Sequence, residues 1–131
     1  LDEITMGVLQ QGKQLRALAP SLTVAIGNIL TVEAKFQGGT GINITPPPAP
    51  WVKPAAVKAA QQRMELVART LGLAGYARID AFMHTQTGEL IIIEANTVPA
   101  LTPATVLYHQ ALAEAKPMYP VQLLERIINP V

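Results

Sequence analysis

Two neighbouring runs, Tyr76 to His84 and Glu89 to Asn96, constrain this chain more than any other feature. Both have strand length, and Thr85-Gln86-Thr87-Gly88 between them has the composition of a turn. The pair predicts a β-hairpin. Side chains alternate faces along a strand, so Arg78 and Asp80 share one face, Glu94 and Asn96 share one face, and Ile79, Ile91 and Ile93 point the other way. A three-residue loop over Gln86-Thr87-Gly88, with Gly88 left-handed, sets Thr85 opposite Glu89, Asp80 opposite Glu94 and Arg78 opposite Asn96.

Two carboxylates directly opposite each other have β-carbons about 4.5 to 5.5 Å apart and repel unless something compensates them. Oxygen donors without histidine or cysteine suit a hard cation such as magnesium, which takes one or two carboxylates and completes its octahedron with water and phosphates. Asn96 adds a neutral oxygen. The same residues also read as a solvated sheet face on which Arg78 pairs with one acid, and spacing alone does not separate the two readings.

The rest of the chain predicts an α+β fold. Glu3 to Leu9 reads as a strand that turns at Gln10-Gln11-Gly12-Lys13 and returns through Leu15 to Leu18. Leu22 to Ile26, Leu30 to Phe36 and Ile42 to Thr45 are further strand candidates, and Pro46-Pro47-Pro48-Ala49-Pro50 reads as an extended crossover. From Ala55 to Leu71, Val57, Ala60, Met64, Val67 and Leu71 recur at helical spacing, with Pro54 suited to the first turn and Gly72 to the left-handed stop. Two more helices are expected, from about Thr105 to Lys116 and from Pro120 to Ile128. His84 and His109 are far apart in sequence and nothing places them near the acids, while Trp51 and the methionines read as packing residues.

A chain of 131 residues suits one compact domain or part of one. Its 50% hydrophobic and 15% charged residues argue against disorder and leave an apolar surface for a partner domain to cover. A net charge of +1 without a basic stripe gives no nucleic-acid surface, and the absence of cysteine removes disulfides, thiolate metal sites and cysteine nucleophiles. No apolar run approaches the roughly 18 residues of a membrane span, and no signal peptide opens the chain, so a cytoplasmic location is expected. The chain opens without methionine in what reads as a strand, which suggests a piece of a longer polypeptide.

Gly75-Tyr76-Ala77-Arg78-Ile79-Asp80, Ile92-Ile93-Glu94-Ala95-Asn96-Thr97-Val98-Pro99 and Thr102 together resemble the closing motif of the ATP-grasp fold, specifically the D-alanine-D-alanine ligase family. The likeness extends back through Glu33-Ala34-Lys35-Phe36, the prolines and the first helix, and forward through the last helix. It implies the C-terminal lobe of a nucleotide-binding domain, a mainly antiparallel sheet packed against helices, spanning residues 1–131 without the N-terminal substrate domain and central lobe. Such a lobe is expected to be inactive alone. The resemblance further implies a cytoplasmic ligase of peptidoglycan precursor synthesis that uses ATP and Mg²⁺, with Mn²⁺ as a substitute. In that chemistry ATP phosphorylates the carboxylate of one D-amino acid, and the amine of a second displaces phosphate from the acyl phosphate. Asp80, Glu94 and Asn96 would hold the metal, and Arg78 would stabilise the transferring phosphoryl group. Lys35 would close over the phosphates and Glu3 would contact the ribose. The implied partners are small-molecule substrates, the missing domains of the same polypeptide and a second copy in a homodimer, with no nucleic acid and no membrane.

Some residues depart from the family pattern. Ala100 stands where the family has a glycine near the intermediate, Thr105 where a serine meets the second substrate's carboxylate at a helix start, and Phe36 where tyrosine is usual. Leu30-Thr31-Val32 lacks the tyrosine-rich sequence of the closing loop. These differences leave open an ATP-grasp ligase with another amine or a hydroxy acid as acceptor, and a degenerate lobe that binds without chemistry.

Overall fold

The computed structural model describes residues 1–25 and 41–131. Ile4, Met6 and Val8 alternate along β1 (Asp2–Gln11), and all three are buried on one face. Gly12, at φ 61°, supplies the left-handed residue of the turn into β2 (Gln14–Ala17), as the Gln-Gln-Gly-Lys sequence leads one to expect. β3 (Ser21–Ala25), β4 (Gly41–Ile44), α1 (Pro54–Thr70), β5 (Tyr76–Met83), β6 (Leu90–Asn96), α2 (Val106–Leu112) and α3 (Pro120–Ile128) follow. The predicted strand Leu30 to Phe36 lies outside the described residues.

The described strands form one six-stranded sheet in the order β4-β3-β1-β5-β6, with β2 also paired to β1, and its strand pairs are antiparallel. β1 is the spine: β5 runs beside it from Asp2 to Leu9, while its other edge is shared by β3 at Ile4 and Thr5 and by β2 from Val8 to Gln11. One face packs on α1, whose buried Ala56, Ala60, Met64 and Ala68 meet Ile4, Met6, Val8, Ile79, Ala81 and Met83. Pro54 occupies the first turn of α1 and Gly72, at φ 68°, follows its end, where Leu73 N–H donates to Ala68 O at 3.0 Å. Among the described residues, the opposite face is covered at one end, by Leu107 and Ala111 of α2 and Leu123 of α3 packed on Leu9 and Leu18.

The hairpin departs from expectation in two places. His84, not Thr85, stands opposite Glu89, with His84 N–H donating to Glu89 O at 2.9 Å, and Gly88 N–H closes the turn on His84 O at 2.8 Å. Four residues lie between the flanking pair, with Gly88 left-handed at φ 71°. A bulge in β6 between the partners of Asp80 and Ala81 then restores the register, so that Asp80 pairs with Glu94 and Arg78 with Asn96 as the spacing predicts. Between turn and bulge the faces are exchanged. Ile91 pairs with Phe82 on the polar face and is exposed, and Ile92 joins the core beside Ala81, correcting the expected orientation of Ile91.

α2 is shorter than its pattern suggests, ending at Leu112 instead of Lys116. The Ala111 carbonyl, which a continuing helix would bond to the fourth residue on, accepts from Met118 N–H at 3.0 Å, and Pro117 has no N–H with which to extend the ladder. α3 keeps the predicted bounds, and Gln122 Oε1 accepts from Tyr119 N–H at 2.8 Å at its start. No described helix is long and apolar enough to cross a membrane.

Candidate functional site

The half of the second sheet face that α2 and α3 leave uncovered carries the polar residues of three strands. Along β1 these are Glu3 and Thr5; on β5, Arg78 and Asp80; on β6, Glu94 and Asn96. Cross-strand pairing puts Thr5 beside Asp80, Asp80 beside Glu94, Arg78 between Gly7 and Asn96, and Glu3 beside Phe82. Six residues from separate stretches thus converge because all point to one side of the sheet.

Asp80 is 5% exposed, so its charge needs support. Thr5 Oγ1 donates to Asp80 Oδ1 at 2.6 Å, and Arg78 Nη2 donates to Oδ2 at 3.4 Å. Arg78 Nε also lies 3.3 Å from Oδ1, yet it is buried and has no aligned acceptor. That contact is therefore a charge contact and not a hydrogen bond. Arg78 pairs with Asp80, as the solvated-face reading requires, but the fork is only partly engaged and retains donor capacity. Glu94 is exposed, and among the described residues it has no ion-pair partner. One arginine faces two carboxylates.

The donor set fits a hard divalent cation. It consists of two carboxylates and an amide oxygen, and among the described residues no strand partner of these three is a histidine or cysteine. Among the described residues no group of three or more His, Cys, Asp or Glu side chains could hold a metal by itself, so the set is sparse. A sparse carboxylate set suits an ion whose remaining positions are filled by phosphate and water.

The loop after β6 is tied to the sheet and to α2. Asn96 Oδ1 accepts from Val98 N–H at 3.0 Å, Tyr76 OH donates to Pro99 O at 3.3 Å, and Tyr108 OH donates to Leu101 O at 2.9 Å. The exposed Ala100 is thereby held between two fixed carbonyls. Thr105 caps α2, its Oγ1 accepting from Leu107 N–H at 3.4 Å, which leaves its own O–H free to donate. α2 has only 7 residues, so the hydroxyl matters more at this position than a helix dipole. Lys35 and Phe36 lie outside the described residues.

Sequence reasoning missed Thr5, Gln110 and the apolar strip formed by the exposed Phe82 and Ile91. Thr5 was findable: it shares strand parity with Glu3. Gln110 left a fainter signal, as a polar side chain three positions after Leu107 and one before Ala111 on a helix face that is otherwise apolar.

Residues 1–129 match the family described as D-ala D-ala ligase C-terminus. The D-alanine-D-alanine ligase of Geobacter sulfurreducens is 33% identical over 127 residues, covering 96% of this chain and 37% of that protein. The fold is similar to the VanG D-Ala:D-Ser ligase from Enterococcus faecalis, with a TM-score of 0.73 at 18% identity over 98% of this chain and 36% of that one. It is also similar to the D-alanine-D-alanine ligase of Bacillus anthracis, with a TM-score of 0.69 at 23% identity over 98% of this chain and 38% of that one. The chain spans just over a third of the length of these proteins. With a family match along almost its whole length and an ATP-grasp lobe fold, the chain belongs to the D-ala D-ala ligase C-terminus family.

Proposed function

We propose that this chain supplies the metal-holding and phosphate-facing lobe of a cytoplasmic, ATP-dependent ligase that joins D-amino acids for peptidoglycan precursor synthesis, the rest of the ATP site coming from further lobes of the same polypeptide. The observation that carries this reading is the direct cross-strand pairing of Asp80 with Glu94 beside Arg78 and Asn96. Support comes from the ligase names of the relatives and from the solution of the Bacillus anthracis ligase in complex with ATP.

Asp80, Glu94 and Asn96 would hold Mg²⁺, which when bound supplies positive charge against the ATP phosphates. Thr5 orients the Asp80 carboxylate for that task, and Arg78 offers its free donor positions to the oxygens of the transferring phosphoryl group. The exposed Phe82 and Ile91, on the same face, offer an apolar shelf for a planar base. Glu3, which pairs with Phe82 across β1 and β5, would bond the ribose, and Lys35 would cover the phosphates. At the opposite side of the acids, Thr105 would donate to the carboxylate of the second D-amino acid. Its amine then attacks the acyl phosphate beside Ala100, the new C–N bond forming as the C–O bond to phosphate breaks.

The test is ADP release by the full-length polypeptide with Mg-ATP and D-alanine, followed by mass analysis of the dipeptide. D-alanine-dependent ADP and D-alanyl-D-alanine are expected. Absence of both, with ATP still bound, would reject the ligase reading. The isolated 131-residue chain is expected to make no ADP, because it contributes only one wall of the site.

A further inference from the structure

Gln110 is completely buried in an otherwise apolar stripe of α2. Burying an amide there is unfavourable unless its polar atoms are bonded, and all of them are. Its Oε1 accepts from Gly7 N–H at 2.7 Å, while Nε2 donates to Thr5 O at 2.9 Å and to Ser21 Oγ at 3.0 Å. These partners mark a seam in the sheet. The outer edge of β1 passes from β3 at Thr5 to β2 at Val8, and Leu18 N–H takes the Gly7 carbonyl at 2.8 Å. The Gln110 amide imitates a strand peptide at the gap.

The position of this plug couples two parts of the site. Thr5, whose carbonyl Gln110 holds, uses its hydroxyl to hold Asp80 at 2.6 Å. Gln110 rides on the same short helix that Thr105 caps. Gly7 lets that helix settle on bare backbone: an added Cβ would stand 2.5 Å from Leu107 Cδ2 and 3.0 Å from Gln110 Oε1. Two hydrogen bonds therefore lead from the helix bearing Thr105 to the carboxylate of Asp80.

We propose that Gln110 is a positioning residue for the second substrate: its amide seats α2 on β1 and so fixes Thr105 relative to Asp80. This rests on the ligase reading of Thr105 and Asp80. Gln110 touches neither substrate nor metal and acts through Gly7 and Thr5.

The test uses the full-length enzyme and Gln110→Met, which keeps length and volume but removes every polar contact. Misplacement of a positioned group by about 1 Å costs up to roughly 100-fold, so we expect the acceptor KM to rise about tenfold while the KM for ATP stays within about twofold. Calorimetric titration of the acceptor against enzyme loaded with a non-hydrolysable ATP analogue should show the same loss without turnover. A folded Gln110→Met enzyme with unchanged acceptor affinity would overturn the proposal and leave Gln110 as a plug for the seam. Equal losses for ATP and acceptor would also overturn it. If that variant does not fold, the wild-type enzyme decides: acceptor binding should slow hydrogen exchange of the Gly7 amide, and an unaltered rate would count against the coupling. Wild-type enzyme without D-alanine-dependent ADP release would instead reject the underlying ligase reading.

Discussion

Thr5 Oγ1 lies 2.6 Å from Asp80 Oδ1, joining the central strand to the buried acid of the candidate metal site. A hydrogen bond to a charged group contributes about 1.5 to 3 kcal/mol, and an acceptor left unpaired costs its desolvation. Thr5→Val keeps the β-branched shape and removes only the donor. We expect it to lower unfolding free energy by about 1 to 3 kcal/mol in urea titration, with Thr5→Ser losing much less. Equal losses in the two variants would assign the effect to packing of the methyl group.

Glu94→Gln separates charge from shape at the proposed metal site. Glu94 is exposed and faces Asp80, so the substitution removes a like-charge contact and little packing. The melting temperature should stay level or rise. In the full-length protein, turnover at saturating Mg-ATP should fall by about 100-fold or more, the scale of losing one preorganised electrostatic contact in a transition state. Full turnover in the variant would remove Glu94 from the metal set.

The facing of Asp80 and Glu94 was legible because alternation along two short strands and a turn signal between them suffice to put the two acids opposite each other. The path between was not. The turn holds one residue more than expected between its flanking pair, and the bulge in β6 shifts the pairing back by one. The two offsets cancel at Asp80 and Glu94 but not at Ile91 and Ile92, whose faces are set by packing against α1 and by the bulge. The early end of α2 was hidden for a related reason, since Met118 captures the Ala111 carbonyl only after the chain has turned back. The role of Gln110 needs the seam between β2 and β3, which no local pattern encodes.

Glu114 makes stability pH-dependent. Burial raises its carboxyl above the ordinary value of 4.5; a backbone hydrogen bond from Ala19 opposes this and the nearby Glu65 charge adds to it. Its Oε1 is buried without a hydrogen-bond partner. A raised folded-state pKa means that the proton is bound more tightly in the native state. The associated stabilisation is complete below the unfolded value and disappears as pH rises through the higher folded value. Glu114→Gln, which keeps an acceptor for Ala19, should therefore raise the melting temperature near pH 7 and lose that advantage toward about pH 4. The same gain at both pH values would show that ionisation of Glu114 is not the cause.

Gly88 and Gly12 share a left-handed backbone, with φ of 71° and 61°, but differ in their surroundings. A side chain in that conformation costs roughly 1 to 2 kcal/mol wherever it occurs. At Gly12 nothing lies within 4 Å of an added Cβ, so Gly12→Ala should cost about that much and no more. At Gly88 an added Cβ would collide with the Ala56 carbonyl oxygen and meet Ala60 N at 3.0 Å, both in the backbone of α1. Backbone cannot swing aside as a side chain does, so relief requires lifting the hairpin turn from the helix. That movement would loosen the strand ends from which Asp80 and Glu94 are paired. Gly88→Ala should consequently destabilise by clearly more than Gly12→Ala in denaturant titration, and it should also reduce the proposed ligase turnover of the full-length protein. Equal destabilisation would mean that the turn does not rest on α1, and that the first turn of this helix plays no part in holding the hairpin in register.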